Sequence, residues 1–330
     1  MKGFDSKFKD LPDYILKITY QIWENKDVES IREYYGDIPK ISLPTPTRAP
    51  SGIIYGAEPV VESTYAALKM FPDRQLLGED VIWIGNDEEG YFSSHRILST
   101  ATHSCDGIYG AATGKKIVYR GIADCACKNN MVYDEWLVRD QGAIVRQLGI
   151  DPKKFASDLI HSEGGIEKAQ EPLNENTPCD TIYIPPTIPE KNIAQNYAQI
   201  LNEIFNIKKI SVIEKHYDRA VQQFQPGGFI KYGRDEVFEF WIKVMSSFPN
   251  AKFTIEHLSF TSEKNQPPKA AVRWTLIGKH EGNGYFGLPT GANIYILGIN
   301  HIEFGQRGIK NEWVLFDETM IWKQILMKSG

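Results

Sequence analysis

The sequence has little cysteine: four thiols in 330 residues, with no spacing that suggests a disulfide framework. That excludes a small disulfide-stapled scaffold and fits a reducing, cytoplasmic setting. It has no surplus of one charge either, with 37 basic residues against 42 acidic ones and a net charge of -5. Without a basic surplus there is no long-range footprint for phosphates, so no nucleic-acid partner is expected. No apolar run reaches about 18 residues, the length a membrane-spanning helix needs, so no membrane partner is expected. The first twenty residues, with Lys2, Lys7, Asp10 and Asp13, lack the apolar centre of a signal peptide. A Gly-x-Ser-x-Gly elbow is missing, and no glycine pattern follows a strand and opens a helix, so serine-hydrolase, dinucleotide and P-loop chemistry are not expected. Cys125-Ala126-Cys127 would place two sulfurs on one strand face, but no second Cys or His pair stands at zinc spacing, so no metal is expected. What remains is ordinary globular composition, 42% hydrophobic and 24% charged, in a chain long enough for about two domains at roughly 150 residues each.

The chain repeats itself. Shifted by 177 residues, Ile53 to Gln147 lies on Ile230 to Gln324 without a gap, with 22 identities in 95 positions; about six are expected from background composition. Tyr55-Gly56 meets Tyr232-Gly233, Phe71-Pro72 meets Phe248-Pro249, Arg96 meets Arg273, and His103 meets His280. Glu135-Trp136 meets Glu312-Trp313, and Asp140 meets Asp317. Upstream, a five-residue shift puts Tyr35 opposite Tyr217. Two copies of one domain follow, at 10–160 and 190–330. They are joined at 161–189 by a stretch holding Pro172, Pro178, Pro185, Pro186 and Pro189, which reads as a stiff, extended connector. Asp151 to His161 has the pattern of a short helix on the first copy.

Each copy opens with helical periodicity: Ile15, Ile18, Ile22 and Trp23 in one, Leu201, Ile204 and Phe205 in the other. A second short helix ends near Tyr35 and Tyr217. A third follows Gly56 and Gly233 and stops at Phe-Pro, because a proline disfavours helix in the residue before it. The period then changes to two. Phe253-Ile255-His257, Val272 to Gly278, Ile294 to Gly298 and Glu312 to Phe316 read as four strands, and Leu76 to Asp140 repeats them. Gly-rich turns separate strands two and three, and Asn129-Asn130 and Gly305 to Gly308 mark the next hairpin. Helices followed by a meander predict an α+β fold, with helices packed on one face of a curved antiparallel sheet and a cone open at one end.

Particular residues carry a family likeness. They are Arg273-Trp274-Thr275, Gly278-Lys279-His280-Glu281-Gly282, Phe286 to Gly291, Gly308-Ile309 and Glu312-Trp313, with the first copy closing on Asp140 and Arg146-Gln147-Leu148-Gly149. This set resembles the SnoaL-like polyketide cyclases, or ester cyclases, of the nuclear-transport-factor-2-like superfamily. The resemblance implies two tandem cone-shaped domains that pair sheet on sheet as an internal pseudo-dimer, with a further homodimer left open. It implies no metal or organic cofactor. It also implies an intramolecular aldol chemistry in which a carboxylate on the last strand moves the proton α to a carbonyl and a neighbouring histidine assists. The family's last strand reads His-Trp-Asp-x-x-Asp. Here the second aspartate is Asp140 and Asp317, while the first falls on Leu137 and Val314, which carry no proton. The assisting histidine falls near Ala123 and Asn300, and a one-residue slip brings Asp124 and His301 there.

Strand alternation supplies a substitute base, since residues two apart share a face. Glu135 lies on the face of Leu137 and Glu312 on that of Val314; each is a displaced general base or a carboxylate paired with Arg96 or Arg273 for structure. His301, whose repeat counterpart is Asp124, is either a proton-transfer group near neutral pH or a surface residue. His103 and His280 either hold the Gly-rich turns or face the pocket. Trp136, Trp274 and Trp313 suit core or pocket wall, and Asp140 and Asp317 suit helix caps. Three readings compete. One is an enzyme (cyclase, isomerase or hydrolase) acting on a small apolar, carbonyl-bearing metabolite. The others are a module that binds such a ligand without chemistry, and a protein-interaction scaffold.

Overall fold

A computed structural model of the chain describes residues 1–35, 44–177 and 192–329. In the first copy, helix α1 (Leu11–Trp23) starts where Asp10 accepts the amide of Asp13, and it buries Leu11, Tyr14, Ile15, Ile18 and Ile22 along one stripe. The short α2 (Ile31–Tyr34) follows, then a hairpin of β1 (Pro46–Ala49) and β2 (Gly52–Tyr55). Helix α3 (Ala57–Met70) begins after Gly56 at φ +83°, a left-handed position suited to glycine, and ends at Phe71-Pro72. The meander is β3 (Gln75–Asn86), β4 (Gly90–Thr102), β5 (Lys116–Lys128) and β6 (Met131–Arg139), closed by helices α4 (Gln141–Leu148) and α5 (Pro152–Ser162). Asn129 and Asn130, at φ 53° and 65°, make the tight turn between β5 and β6.

The second copy repeats the order: α6 (Ile193–Phe205), α7 (Val212–His216), β7 (Tyr217–Gln225), β8 (Phe229–Tyr232), α8 (Arg234–Ser247), β9 (Lys252–Thr261), β10 (Lys269–Lys279), β11 (Asn293–Gly305), β12 (Gly308–Phe316) and α9 (Glu318–Ser329). The two sheets have matching orders, β2-β1-β6-β5-β4-β3 and β8-β7-β12-β11-β10-β9. Each is therefore a six-stranded sheet curled round its own helices, as the α+β expectation requires.

The extra hairpin on each sheet was not anticipated. Strands β1 and β7 join β6 and β12 in parallel, at Thr47 beside Glu135 and at Gln223 beside Glu312. Strands β1, β2 and β8 have only four residues, too few to show a period, and the parallel partners of β1 and β7 lie more than eighty residues away. The stretch after Ser162 also differs from a bare connector. Helix α5 touches both copies: Phe155 stacks on Tyr109 at 5.5 Å, while Lys153 lies over Trp322 and Glu163 pairs with Lys323 at 2.6 Å. Leu173 then hydrogen-bonds Pro50 and is buried between the two sheets. The prolines from 178 to 189 lie outside the described residues. Among the described residues no helix is long and apolar enough to cross a membrane.

Candidate functional site

The concave face of the first sheet and helices α1 and α3 enclose a cavity of about 270 Å³. Alternation decides what faces it: Ala123 and Cys125 from β5, and Glu135, Leu137 and Arg139 from β6, point inward, while Asp124, Trp136 and Asp134 point out of the cone. Ile15, Ile18, Ile22 and Trp23 of α1 form the apolar wall opposite, and exposed Ser51, Ser63 and Gln170 mark the rim.

Glu135 is 7% exposed and accepts a hydrogen bond from the Thr47 hydroxyl at 3.1 Å. Burial pushes its carboxyl above the usual range, against the pull of the Thr47 and Tyr35 hydroxyls and the charge of Arg139. His95 lines the same wall and is held neutral, its pKa lowered to about 4 by burial and by the charge of Arg96. The Cys125 thiol is pushed well up by burial, so it is no nucleophile at neutral pH. Arg74 and Arg139 were not singled out in the sequence and both line the cavity. Arg139 shares the face of Glu135 and alternation could have found it. Arg74 precedes β3, outside any periodic run; its only signal is that its repeat counterpart is Ala251.

The second cone is filled. Trp274 is fully buried and lies across Gly298, whose added Cβ would overlap the indole ring. Its Nε1 donates to Asn300 Oδ1 at 2.9 Å, Asn300 Nδ2 donates to the Tyr197 hydroxyl at 2.7 Å, and that hydroxyl donates to Glu312. Tyr217 and Gln223 also donate to Glu312, at 2.8 and 2.6 Å. Burial raises the Glu312 carboxyl while these three donors oppose it. Trp241, Phe205 and Phe253 pack round the same ring system. Glu312 is thus a satisfied core carboxyl with no space in front of it.

Most of the other residues singled out in the sequence stand elsewhere. His301 is neither in a cone nor on the surface: it is fully buried between the two sheets. Its Nε2 is 2.7 Å from Ser94 Oγ and its Nδ1 is 3.1 Å from an Arg96 nitrogen. The Ser94 hydroxyl donates to Asp124, which also meets His257 Nδ1 at 3.2 Å and Arg273 at 3.9 Å. Burial and the charge of Arg96 hold His301 well below its usual pKa. For Asp124, burial alone would raise the pKa, but His257, Arg273 and Ser94 together bring it below the usual value.

The arginines cross the interface in a reciprocal pair. Arg96 lies 3.7 Å above the Trp313 ring of the other copy, and Arg273 lies 4.3 Å above Trp136. Neither pairs with Glu135 or Glu312; Arg96 instead meets Glu79 at 3.0 Å. Arg96, Arg273, Trp136, Trp313, Asp124 and His301 therefore join the two copies and do not line the cavity of the first cone. A shift of one residue along a strand moves a side chain through the sheet, and a one-residue slip is what had suggested Asp124 and His301.

His103 and His280 hold the Gly-rich turns through Thr113 and Thr290, at 3.1 and 3.2 Å. Asp140 caps α4 through the amide of Ala143 and takes the amides of Gly227 and Gly228 from the second copy, at 2.8 and 3.0 Å; burial lifts its pKa to about 6. Asp317 caps α9 through Thr319 and Met320, and burial lifts it to about 7.

Two sheets of this order, each wrapped round its own helices, make a tandem of cone-shaped α+β domains, one hollow and one packed. Residues 195–325, within the second copy, match the family model of the SnoaL-like polyketide cyclases, and the first copy repeats the strand order of that segment. Among solved structures, the chain is similar to IdmH of Streptomyces antibioticus, described as a proposed polyketide cyclase, at 18% identity over 42% of this chain and 98% of that one, with a TM-score of 0.35. It is also similar to a SnoaL-like polyketide cyclase of Agrobacterium tumefaciens, at 14% identity over 43% and 100% of the two chains, with a TM-score of 0.34. A third is TsrD of Streptomyces laurentii, at 14% identity over 41% and 98%, with a TM-score of 0.34. No curated protein matches the chain.

Proposed function

We propose that the first copy binds a small, largely apolar, carbonyl-bearing metabolite and moves a proton on it, as a cyclase or isomerase, with Glu135 as the general base. The observation that carries this reading is one buried carboxyl, raised in pKa, on the wall of a cavity with an apolar side. A base matched to neutral pH must be lifted from the ordinary carboxylate range, and water must be kept from the enolate that forms. Glu135 would take the α-proton on its carboxylate, which the Thr47 and Tyr35 hydroxyls hold in place. The family's aspartate position, Leu137, stands two residues on, on the same face, so the base would be displaced along the strand and not lost. The second copy contributes no base, because Glu312 is closed in by Tyr197, Tyr217 and Gln223.

The test is proton exchange. Small ketones and β-keto amides incubated with the protein in deuterium oxide should lose α-proton signal in the NMR spectrum. Glu135→Gln should slow that loss at least a hundredfold, and Glu312→Gln should leave it unchanged. Exchange that survives Glu135→Gln would remove the proton-transfer reading. The second reading, a binding module without chemistry, draws on Leu137 standing where the family keeps its aspartate. It predicts ligand binding that Glu135→Gln leaves intact and no exchange at all.

A further inference from the structure

We propose that the ligand of the first cone carries a carboxylate, gripped by Arg74 with Arg139 beside it. This rests on reading that cone as the ligand site. Arg74 is only 6% exposed and lines the cavity, yet no carboxylate among the described residues lies within ion-pair distance of it, and its Nε has no hydrogen-bond partner. Its guanidinium is flanked by aromatic faces, 4.3 Å from the Trp23 ring and 5.6 Å from that of Tyr119. Stacking on Trp23 fixes the plane of the fork, and Tyr119 is its neutral hydrogen-bond neighbour. A buried cation without an anion is expensive to keep, and proteins normally pair it. The other buried guanidiniums of this chain follow that rule: Arg48 meets Asp134 at 2.9 Å, Arg96 meets Glu79, and Arg273 meets Asp124.

A second cation makes the case independent of Arg74. Arg139, the last residue of β6, lines the same cavity. Two guanidiniums facing one small space repel each other until an anion sits between them, and a planar carboxylate matches the fork of either. The repeat supplies a control. The counterparts of Arg74 and Arg139 in the filled cone are Ala251 and Phe316, both buried in its core. Of two cones with the same strand order, only the hollow one carries the cations.

The placement also orients the ligand. Leu76 pairs with Ser99 and Ser99 with Tyr119, so Arg74, Ser99, Tyr119 and Arg139 share one end of the cavity. Glu135 lies four residues before Arg139 along β6, about 13 Å of strand at roughly 3.3 Å per residue. The carboxylate would be held at the arginine end, with the carbon that gives up its proton towards Glu135. A volume of about 270 Å³ equals some nine waters at about 30 Å³ each, which suits an acid of about the size of 3-phenylpropanoate.

The experiment compares matched acids and amides by isothermal titration calorimetry at pH 7.5: 3-phenylpropanoate against 3-phenylpropanamide, and hexanoate against hexanamide. The wild-type chain should bind each acid at least tenfold more tightly than its amide. Arg74→Met should bring that ratio to about one while amide binding persists. Arg139→Gln should reduce the ratio severalfold, and Glu135→Gln should not lower it. If Arg74→Met does not fold, the wild-type ratio and Arg139→Gln decide. Amides bound as tightly as acids by the wild type, or a tenfold ratio that survives both arginine substitutions, would overturn the carboxylate inference and leave the cavity reading standing. Binding of neither member of either pair would overturn both.

Discussion

The two cones are one design with opposite interiors. The first places Ile97, Thr64, Ser63 and Arg139 where the second places Trp274, Trp241, Phe240 and Phe316. The backbones match strand for strand, and Glu135 and Glu312 occupy the same position on the last strand, each beside a strand joined in parallel. Yet one glutamate faces a cavity and the other is tied to Tyr197, Tyr217 and Gln223. A family position therefore identifies a candidate base only together with the bulk in front of it. Four large side chains separate a hollow cone from a packed core.

That comparison can be broken from either side. Trp274→Ala should cost about 3–5 kcal/mol of stability in denaturant unfolding, as removal of a fully buried indole does, and should leave Asn300 without its indole donor. Gly298→Ala should cost roughly 1–3 kcal/mol, because its methyl group meets the Trp274 ring. Gly121→Ala, at the same place in the hollow cone, should change stability by only about 0.5 kcal/mol, its nearest neighbour being Val138 O at 3.5 Å. In the double substitution the two second-copy losses should fall short of their sum.

Ile97→Trp should abolish ligand binding in calorimetry while shifting stability by no more than about 1 kcal/mol, since Gly121 leaves room for the ring. Arg74→Met should raise the thermal midpoint of the ligand-free protein slightly, by about 1 kcal/mol of stability, because an unpaired buried charge becomes an apolar side chain.

A further effect is a titration. The His95 imidazole, whose folded pKa is about 4 against roughly 6.5 unfolded, should stay neutral in ring-nitrogen NMR spectra down to about pH 5. Its folded pKa is depressed, so the unfolded chain binds the proton more readily. Its contribution to stability is complete above about pH 6.5 and is lost as the pH falls towards 4.

Much of this architecture is legible in the sequence because its signals are local or repeated. The shift of 177 residues exposes the tandem, Phe-Pro ends α3 and α8, and paired asparagines turn β5 into β6. Alternation places Glu135, Leu137 and Arg139 on one face. What it leaves open is which face is hollow and what stands opposite. Arg74 lies in a turn, and β1 pairs with a strand far along the chain. The sheet-to-sheet contact explains the rest. His301, Arg96 and Trp313 are polar and aromatic groups of the kind a pocket uses, but here they satisfy one another across an interface that only the fold brings together.

The most direct test of one hollow and one filled cone is a crystal of the protein soaked in 4-bromobenzyl alcohol, with the bromine located by anomalous scattering. The account predicts a single bromine site in the first cone, between Ile97, Leu137 and Trp23, and none before Glu312. Bromine in the second cone, or in neither, would contradict it.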